Sequence, residues 1–261
     1  MKKYRYIFFL SLPLFTLWFC TSSSSVKEKE INVTKASKDI RVMNKQVAVL
    51  ELFTSQGCSS CPSADRLLDK LSDVENVIAL SFHVDYWDRL GWKDPYSSKE
   101  YTKRQYNYAS VLNSQVYTPQ LVINGESEMV GSDSKKIDNT LKAAWSMATN
   151  TSISIDNFSL VNGKANIHYT IKGITNRSML NIALVEKKTT TAIRAGENGG
   201  ATLKGTNVVR DFKTISNATD GANTYSLEVP KDVEGKNMAV VIFIQQKDNK
   251  IIAADKASPS L

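Results

Sequence analysis

Apolar and polar positions follow two rhythms along this chain, and the change between them falls near residue 150. Residues 46–55, QVAVLELFTS, form a dense apolar run that stops before Gly57. That is the pattern of a parallel strand covered on both faces. Residues 62–73, PSADRLLDKLSD, set Leu67, Leu68 and Leu71 at helical spacing. Pro62 suits the first turn of that helix, where a backbone N–H would have no partner. Residues 76–84, NVIALSFHV, predict a second strand, and residues 94–113 a second helix, with Ser97 and Glu100 as a capping box just after Pro95. Residues 118–131 read as a hairpin turning at Asn124-Gly125, and residues 132–148 as a helix capped by Ser132 or Asp133. The order β-α-β-α-β-β-α predicts a mixed sheet with helices on its faces.

Beyond residue 150 the helical spacing disappears. SISIDNFSLVNGKANIHYTI predicts a hairpin whose second arm puts Ala165, Ile167, Tyr169 and Ile171 on one face. MLNIALVEK, NVVRDFKTI, TYSLEV and MAVVIFIQQKDNKIIAADKA add further short strands, so this half predicts an all-β sandwich. A length of 261 residues suits two domains better than one. The expected division is 46–149 and 150–261, with the boundary between Thr149 and Thr151.

The first twenty residues read as an export signal. MKKYR is positive, and YIFFLSLPLFTLWF is too short for a spanning helix, which needs roughly twenty apolar residues. Pro13 interrupts it as well. Two readings stay open for Cys20. It is a lipidation candidate of the bacterial lipoprotein kind, although Phe19 stands where a small residue is expected; or it is lost or left idle by ordinary cleavage within CTSSSS. Residues 21–45, rich in Ser and Lys, read as a flexible tether. Export places the protein in the periplasm or cell envelope, lipid-anchored if Cys20 is modified, where disulfides persist. The net charge of +7 falls to +4 without Lys2, Lys3 and Arg5, and the remaining basic residues are interspersed with acids. No nucleic-acid partner is therefore expected, and membrane contact only through a lipid anchor.

The candidate chemistry sits in QGCSSCPSAD, residues 56–65. Cys58 and Cys61 form a C-x-x-C where the first strand gives way to a helix. Free N–H groups and the positive end of the helix dipole favour a thiolate there, and thiolate is the attacking species in disulfide exchange. Cys58 is the expected nucleophile and Cys61 the resolving cysteine. A structural zinc site needs four ligands, whereas the chain offers this pair and two histidines, His83 and His168. A purely stabilising bridge would close too small a loop to matter. Copper(I) held by Cys58, Cys61 and His83 remains an alternative.

HVDYWDRLGW, residues 83–92, begins at the strand end that shares an edge with the C-x-x-C, where ligands usually bind in open α/β sheets. His83 and Asp85 are candidates to carry protons for Cys61. In the plainer reading His83 is a packed strand-end residue, and Trp87 and Trp92 fill a gap between helix and sheet. Glu51 is either a buried base behind the pair or an edge residue facing water. GENGG, residues 196–200, is either a tight loop or a cover reaching over the dithiol.

ELFTSQGCSSCPSAD, FHVDYWDRLGWKDPYSS and VYTPQLVINGE resemble a family of secreted bacterial thioredoxin-like proteins catalogued as a domain of unknown function. GENGGATLKGTNVVR (196–210) resembles a signature of that family's C-terminal β-domain. The resemblance spans nearly all of residues 46–257. It implies an α/β thioredoxin-like domain followed by the β-sandwich, with Pro119 cis and facing the dithiol and the Thr118 backbone beside an extended substrate. It supplies no substrate. The expected function is an exported thiol–disulfide oxidoreductase that exchanges with protein or small-thiol partners, is recharged by an unidentified redox partner, and needs no cofactor beyond its own disulfide. The alternative is a non-enzymatic binding module of the cell envelope that holds copper(I).

Overall fold

The computed structural model describes residues 46–174 and 177–260. The expected export signal, Cys20 and the tether lie outside the described residues.

Strand β1 (Ala48–Thr54) and strand β2 (Val77–His83) pair in parallel from Ala48↔Val77 to Thr54↔His83, and every residue of both is buried. Their unbroken apolar runs follow from packing on both faces. Between them lies helix α1 (Cys61–Leu71). Helix α2 (Lys99–Leu112), the hairpin β3 (Gln120–Ile123) and β4 (Ser127–Val130), and helix α3 (Ser134–Trp145) complete the first half. Strands β5 (Ser152–Val161), β6 (Lys164–Lys172), β7 (Ser178–Ala192), β8 (Thr202–Ile215), β9 (Gly221–Glu228), β10 (Met238–Gln246) and β11 (Ile251–Ala257) make up the second.

These strands form an eight-stranded mixed sheet in the order β11-β10-β7-β8-β2-β1-β3-β4 and a three-stranded sheet in the order β5-β6-β9. The join is narrow. β8 meets β2 in parallel at Ser81↔Val208, and Asn207 Nδ2 donates to the Ala79 carbonyl (3.0 Å). Strands from both sides of residue 150 thus share one sheet, and the described residues belong to one compact unit.

Alternation along each strand decides which layer it faces. On β1, Leu50 and Leu52 pack against Ala64 and Leu68 of α1 and Ile137 and Leu141 of α3. Val49 and Phe53 point the other way, to Tyr101 and Tyr108 of α2 and to Ala183, Val185, Val241 and Phe243 of β7 and β10. The intervening residues of β7 and β10, among them Ile182, Leu184, Val240 and Ile242, meet Phe158, Ile167 and Leu227 of the three-stranded sheet.

Helix α2 starts later than the spacing predicts. Its cap is Ser98, whose Oγ accepts from Glu100 N (3.1 Å). Ser97 instead donates to Asp88 Oδ2 (2.8 Å) and the Asp94 carbonyl (3.0 Å), so the residues before the helix tie down a loop. Asp133 caps α3, accepting from Lys136 N.

The Asn124-Gly125 turn takes positive φ at both residues, 49° and 70°. It docks against the β10–β11 turn, where Ile251 N donates to the Asn124 carbonyl (2.8 Å). A Cβ on Gly125 would overlap the Asn249 carbonyl, whereas one on Gly163, at φ 74°, meets nothing within 4 Å. Gly163→Ala should therefore cost only the left-handed strain, about 1–2 kcal/mol. Gly125→Ala adds a backbone clash and should cost about 1–2 kcal/mol more. Urea unfolding of the two variants side by side measures the difference.

Candidate active site

The loop from β1 into α1 is built as successive turns: Cys58 N donates to the Ser55 carbonyl and Cys61 N to the Cys58 carbonyl, both at 3.2 Å. This brings the two cysteines to a Cα separation of 5.4 Å, and their sulfurs are joined as a disulfide. The bridge lies at the first turn of α1, whose start has no side-chain cap, so the positive end of the helix dipole faces the sulfurs. Ser60 Oγ lies 3.3 Å from Cys58 Sγ. Neither cysteine has exposed surface.

Beneath this turn lies a cluster of titratable groups. Thr54 and His83 are register partners in neighbouring parallel strands, so their side chains share the face that α1 covers. Thr54 Oγ1 donates to Asp65 Oδ1 (2.9 Å), and Asp65 stands one helical turn after Cys61. The Asp94 carboxylate accepts from His83 Nδ1 (2.7 Å) and from Gln56 N (2.8 Å) through Oδ2, and from Tyr96 N (3.0 Å) through Oδ1. His83 Nε2 is buried and has no hydrogen-bond partner among the described residues. Burial raises the Asp65 carboxyl to about 6, against the opposing pull of the His83 charge and the Thr54 hydroxyl. Burial pushes the His83 imidazole down, but the charge and hydrogen bond of Asp94, with Asp65 adding, hold it above its usual value. Burial pushes Asp94 up, yet His83 and the two backbone N–H groups hold it below the usual carboxylate range.

Over the dithiol lies the β7–β8 hairpin. Its arms are fastened along α1, where Asp69 accepts from Lys188 and Thr206, and Gln56 Nε2 donates to Thr191 Oγ1 (2.9 Å). At the tip, Asn198 Nδ2 donates to the carbonyls of Gln56 (2.9 Å) and Cys58 (3.0 Å). Ser59 N donates to Glu197 Oε2 (3.0 Å). Residues 87–92 form a side wall. Trp92 Nε1 donates to Gln56 Oε1 (3.1 Å), and Trp87 Nε1 donates to Thr118 Oγ1 (2.8 Å). A Cβ on Gly57 would stand 3.2 Å from Trp87 Cβ, so Trp87 links the cysteine loop to the Thr118–Pro119 bond, which is cis. A Cβ on Gly131 would lie 3.1 Å from Ala64 and 3.5 Å from Pro119, which sets Pro119 beside α1.

Of the expected site residues, His83 is tied through Asp94 to Gln56, Thr118 through Trp87 to the cysteine loop, and Pro119 lies beside α1. Asp85 and Glu51 go elsewhere. Asp85 is bound to α2, its Oδ1 accepting from Thr102 Oγ1 (2.6 Å) and its N donating to the same hydroxyl. Glu51 is neither behind the pair nor at a solvent edge. Strand alternation puts it on the α2 face with Val49 and Phe53, fully buried, where it accepts from Arg104 (2.5 and 2.9 Å) and Tyr108. Asp65 stands close to the dithiol instead. It was visible in the sequence at helical spacing from Cys61. Asp94 and Asn198 carried no such local sign, because they reach the loop from 38 and 140 residues away. GENGG takes the covering role. In this oxidised form Cys58 and Cys61 are bonded to each other, and His83, held by Asp94 through Nδ1, has Nε2 without a partner among the described residues.

A family model described as "Protein of unknown function (DUF1223)" matches residues 49–245. The chain belongs to this family. The DUF1223 match runs from β1 into β10, so the disulfide, Asp65, His83, Asp94 and the hairpin tip all fall within it. No curated protein matches the sequence. Among solved structures, protein AGR_C_4864 from Agrobacterium tumefaciens is similar at 29% identity and a TM-score of 0.66, over 83% of this chain and 96% of that one. A domain of the outer membrane lipoprotein Omp28 from Porphyromonas gingivalis matches at 13% identity and a TM-score of 0.29, over 43% of this chain and 97% of that domain.

Proposed function

We propose that this protein is an exported thiol–disulfide oxidoreductase working through Cys58 and Cys61, with residues 46–149 as a thioredoxin-like unit and residues 150–261 as a β-sandwich that roofs it. The observation that carries the reading is the placement of the disulfide at the uncapped start of α1, with Asp65 one turn further on and His83 below. A locked bridge over so short a loop would add little stability, and it would not call for a carboxyl raised to about 6 beside it. The apolar leader and the disulfide itself both suit an exported protein.

In this reading a partner thiolate attacks Cys58 Sγ. A new S–S bond forms to the partner, the Cys58–Cys61 bond breaks, and the electron pair leaves on Cys61 Sγ. Asp65 shares the inward side of α1 with Cys61 and can deliver the proton that neutralises it. A second partner thiolate then attacks the mixed disulfide and releases Cys58 as thiolate together with the oxidised partner. Two electrons have moved to the protein, and the reverse sequence oxidises a partner instead.

Cys61→Ser should trap mixed disulfides through Cys58, Cys58→Ser should trap none, and the unaltered protein should titrate as a reversible two-electron couple. Mass spectrometry of the trapped species and a redox titration read these outcomes. If neither trapping nor a reversible couple is found, the proposal fails.

A further inference from the structure

The cover over the disulfide is more complete than its chemistry needs, and it uses up backbone groups of the cysteine loop that a partner chain could grip. Cys58 and Cys61 expose no surface. The carbonyls of Gln56 and Cys58 are taken by Asn198 Nδ2, and the N–H of Ser59 by Glu197. The tip is also stiff. Gly200 N donates to the Ile193 carbonyl (2.9 Å), Ile193 N to the Ala201 carbonyl (2.8 Å), and Ala201 N to the Asn198 carbonyl (3.0 Å). Gly196 packs against the side wall, since a Cβ there would lie 3.1 Å from Trp92 Cβ. A tip bonded within itself in this way can open by tilting as a unit rather than by melting.

A small tilt admits a single sulfur atom. A polypeptide needs far more. An extended strand takes a lane about 4.7–4.9 Å wide, and it binds by pairing its backbone with free backbone groups. At residues 56–59 all four N–H groups and the carbonyls of Gln56 and Cys58 are already occupied.

We infer that the β7–β8 tip, through Glu197 and Asn198, selects low-molecular-weight thiols and disulfides as the partners of Cys58 and turns polypeptides away. This rests on the exchange reading above and narrows it to a substrate class. The reacting bond is the one already described: a small thiolate reaches Cys58 Sγ through the tilted tip, and Cys61 leaves.

The test compares rates for two partners, hydroxyethyl disulfide and an unstructured peptide disulfide, with the full chain and with Glu197→Ala and Asn198→Ala. The unaltered protein should exchange with the small disulfide at least about tenfold faster. Glu197→Ala removes one tip hydrogen bond and Asn198→Ala two, and each bond lost raises the open population by about fivefold to tenfold. Each variant should therefore speed the peptide reaction by that factor or more and the small-disulfide reaction by a smaller factor, so that the ratio of the two rates falls, while the equilibrium with glutathione changes by less than about threefold. Equal rates for the two partners in the unaltered protein overturn the inference, and so does a rate ratio that neither variant changes. Alkylation of the reduced protein separates this idea from the exchange reading. If Cys58 reacts with iodoacetamide but resists a polymer-linked maleimide, and the variants lose that resistance, the size gate stands even when no disulfide exchange is seen. If both reagents react alike, the gate fails whatever the exchange assay shows.

Discussion

Glu51→Ala should remove about 3–5 kcal/mol of folding stability, the range expected when one partner of a buried ion pair is deleted. Glu51 has no exposed surface, and its carboxylate receives Arg104 Nε (2.5 Å), one Arg104 terminal nitrogen (2.9 Å) and Tyr108. The guanidinium lies among the rings of Phe82, Tyr108, Phe212 and Phe243, 4.7–5.7 Å from their centres. Burial alone would push Arg104 down; the Glu51 charge holds it above its ordinary value instead. Without that charge, Tyr108 and the Gln245 amide oxygen (3.3 Å) are left to compensate a full positive charge set among aromatic rings, with 13% of its side chain exposed. A double replacement, Glu51→Met with Arg104→Met, should recover most of the loss, because buried pairs exchanged for packed apolar groups are often neutral. Urea midpoints for the single and double variants decide it. A loss under about 1 kcal/mol for Glu51→Ala would mean that water already screens the pair.

The same residue shows where sequence reading stops. A glutamate inside AVLELFT is visibly a buried charge. Its partner is 53 residues away on α2, and no local pattern points to Arg104. The elements themselves were legible, since strand and helix periods are local. The β3–β4 and β5–β6 turns were legible too, because Asn-Gly meets the positive φ they require. The edges of α2 were less so. Asp94 to Ser97 have the composition of a helix start but spend their side chains on the loop beside His83. Nothing in the order of strands marked β8 as the neighbour of β2. That pairing rests on one register contact between segments more than a hundred residues apart, and it turns two strand groups into one sheet. The disulfide was legible because two cysteines and a proline lie within five residues. Its roof was legible only as one of two readings of GENGG, because Glu197 and Asn198 become neighbours of Cys58 only after β7 and β8 have joined that sheet.

Asp65→Asn should raise stability at pH 7.5 by about 1–3 kcal/mol and leave it nearly unchanged near pH 4. The sign follows from the direction of the shift. In the folded protein Asp65 titrates at about 6 rather than 3.8, so the folded state binds this proton more tightly than the unfolded chain does. Stability from this group is full below about pH 4 and declines as pH rises toward 6. Above that the ionised carboxylate is a burden, which asparagine removes while its Oδ1 still accepts from Thr54. His83 is raised as well, so its contribution is full below 6.5 and falls as pH climbs through its higher folded value. Because part of that rise comes from the Asp65 charge, the variant should also flatten the His83 slope. Urea unfolding at pH 4, 6 and 7.5 measures both effects. The exchange rate supplies the functional half. If Asp65 delivers the proton to Cys61, the variant should exchange more slowly and its pH–rate profile should lose the inflection near 6. A more stable but slower protein is the behaviour of a group kept at a reactive site against the interest of folding. A more stable protein with an unchanged profile would leave Asp65 as a half-buried acid without a catalytic part and place the proton transfer on His83. A less stable one would mean that the Thr54 bond and the His83 charge outweigh the burial.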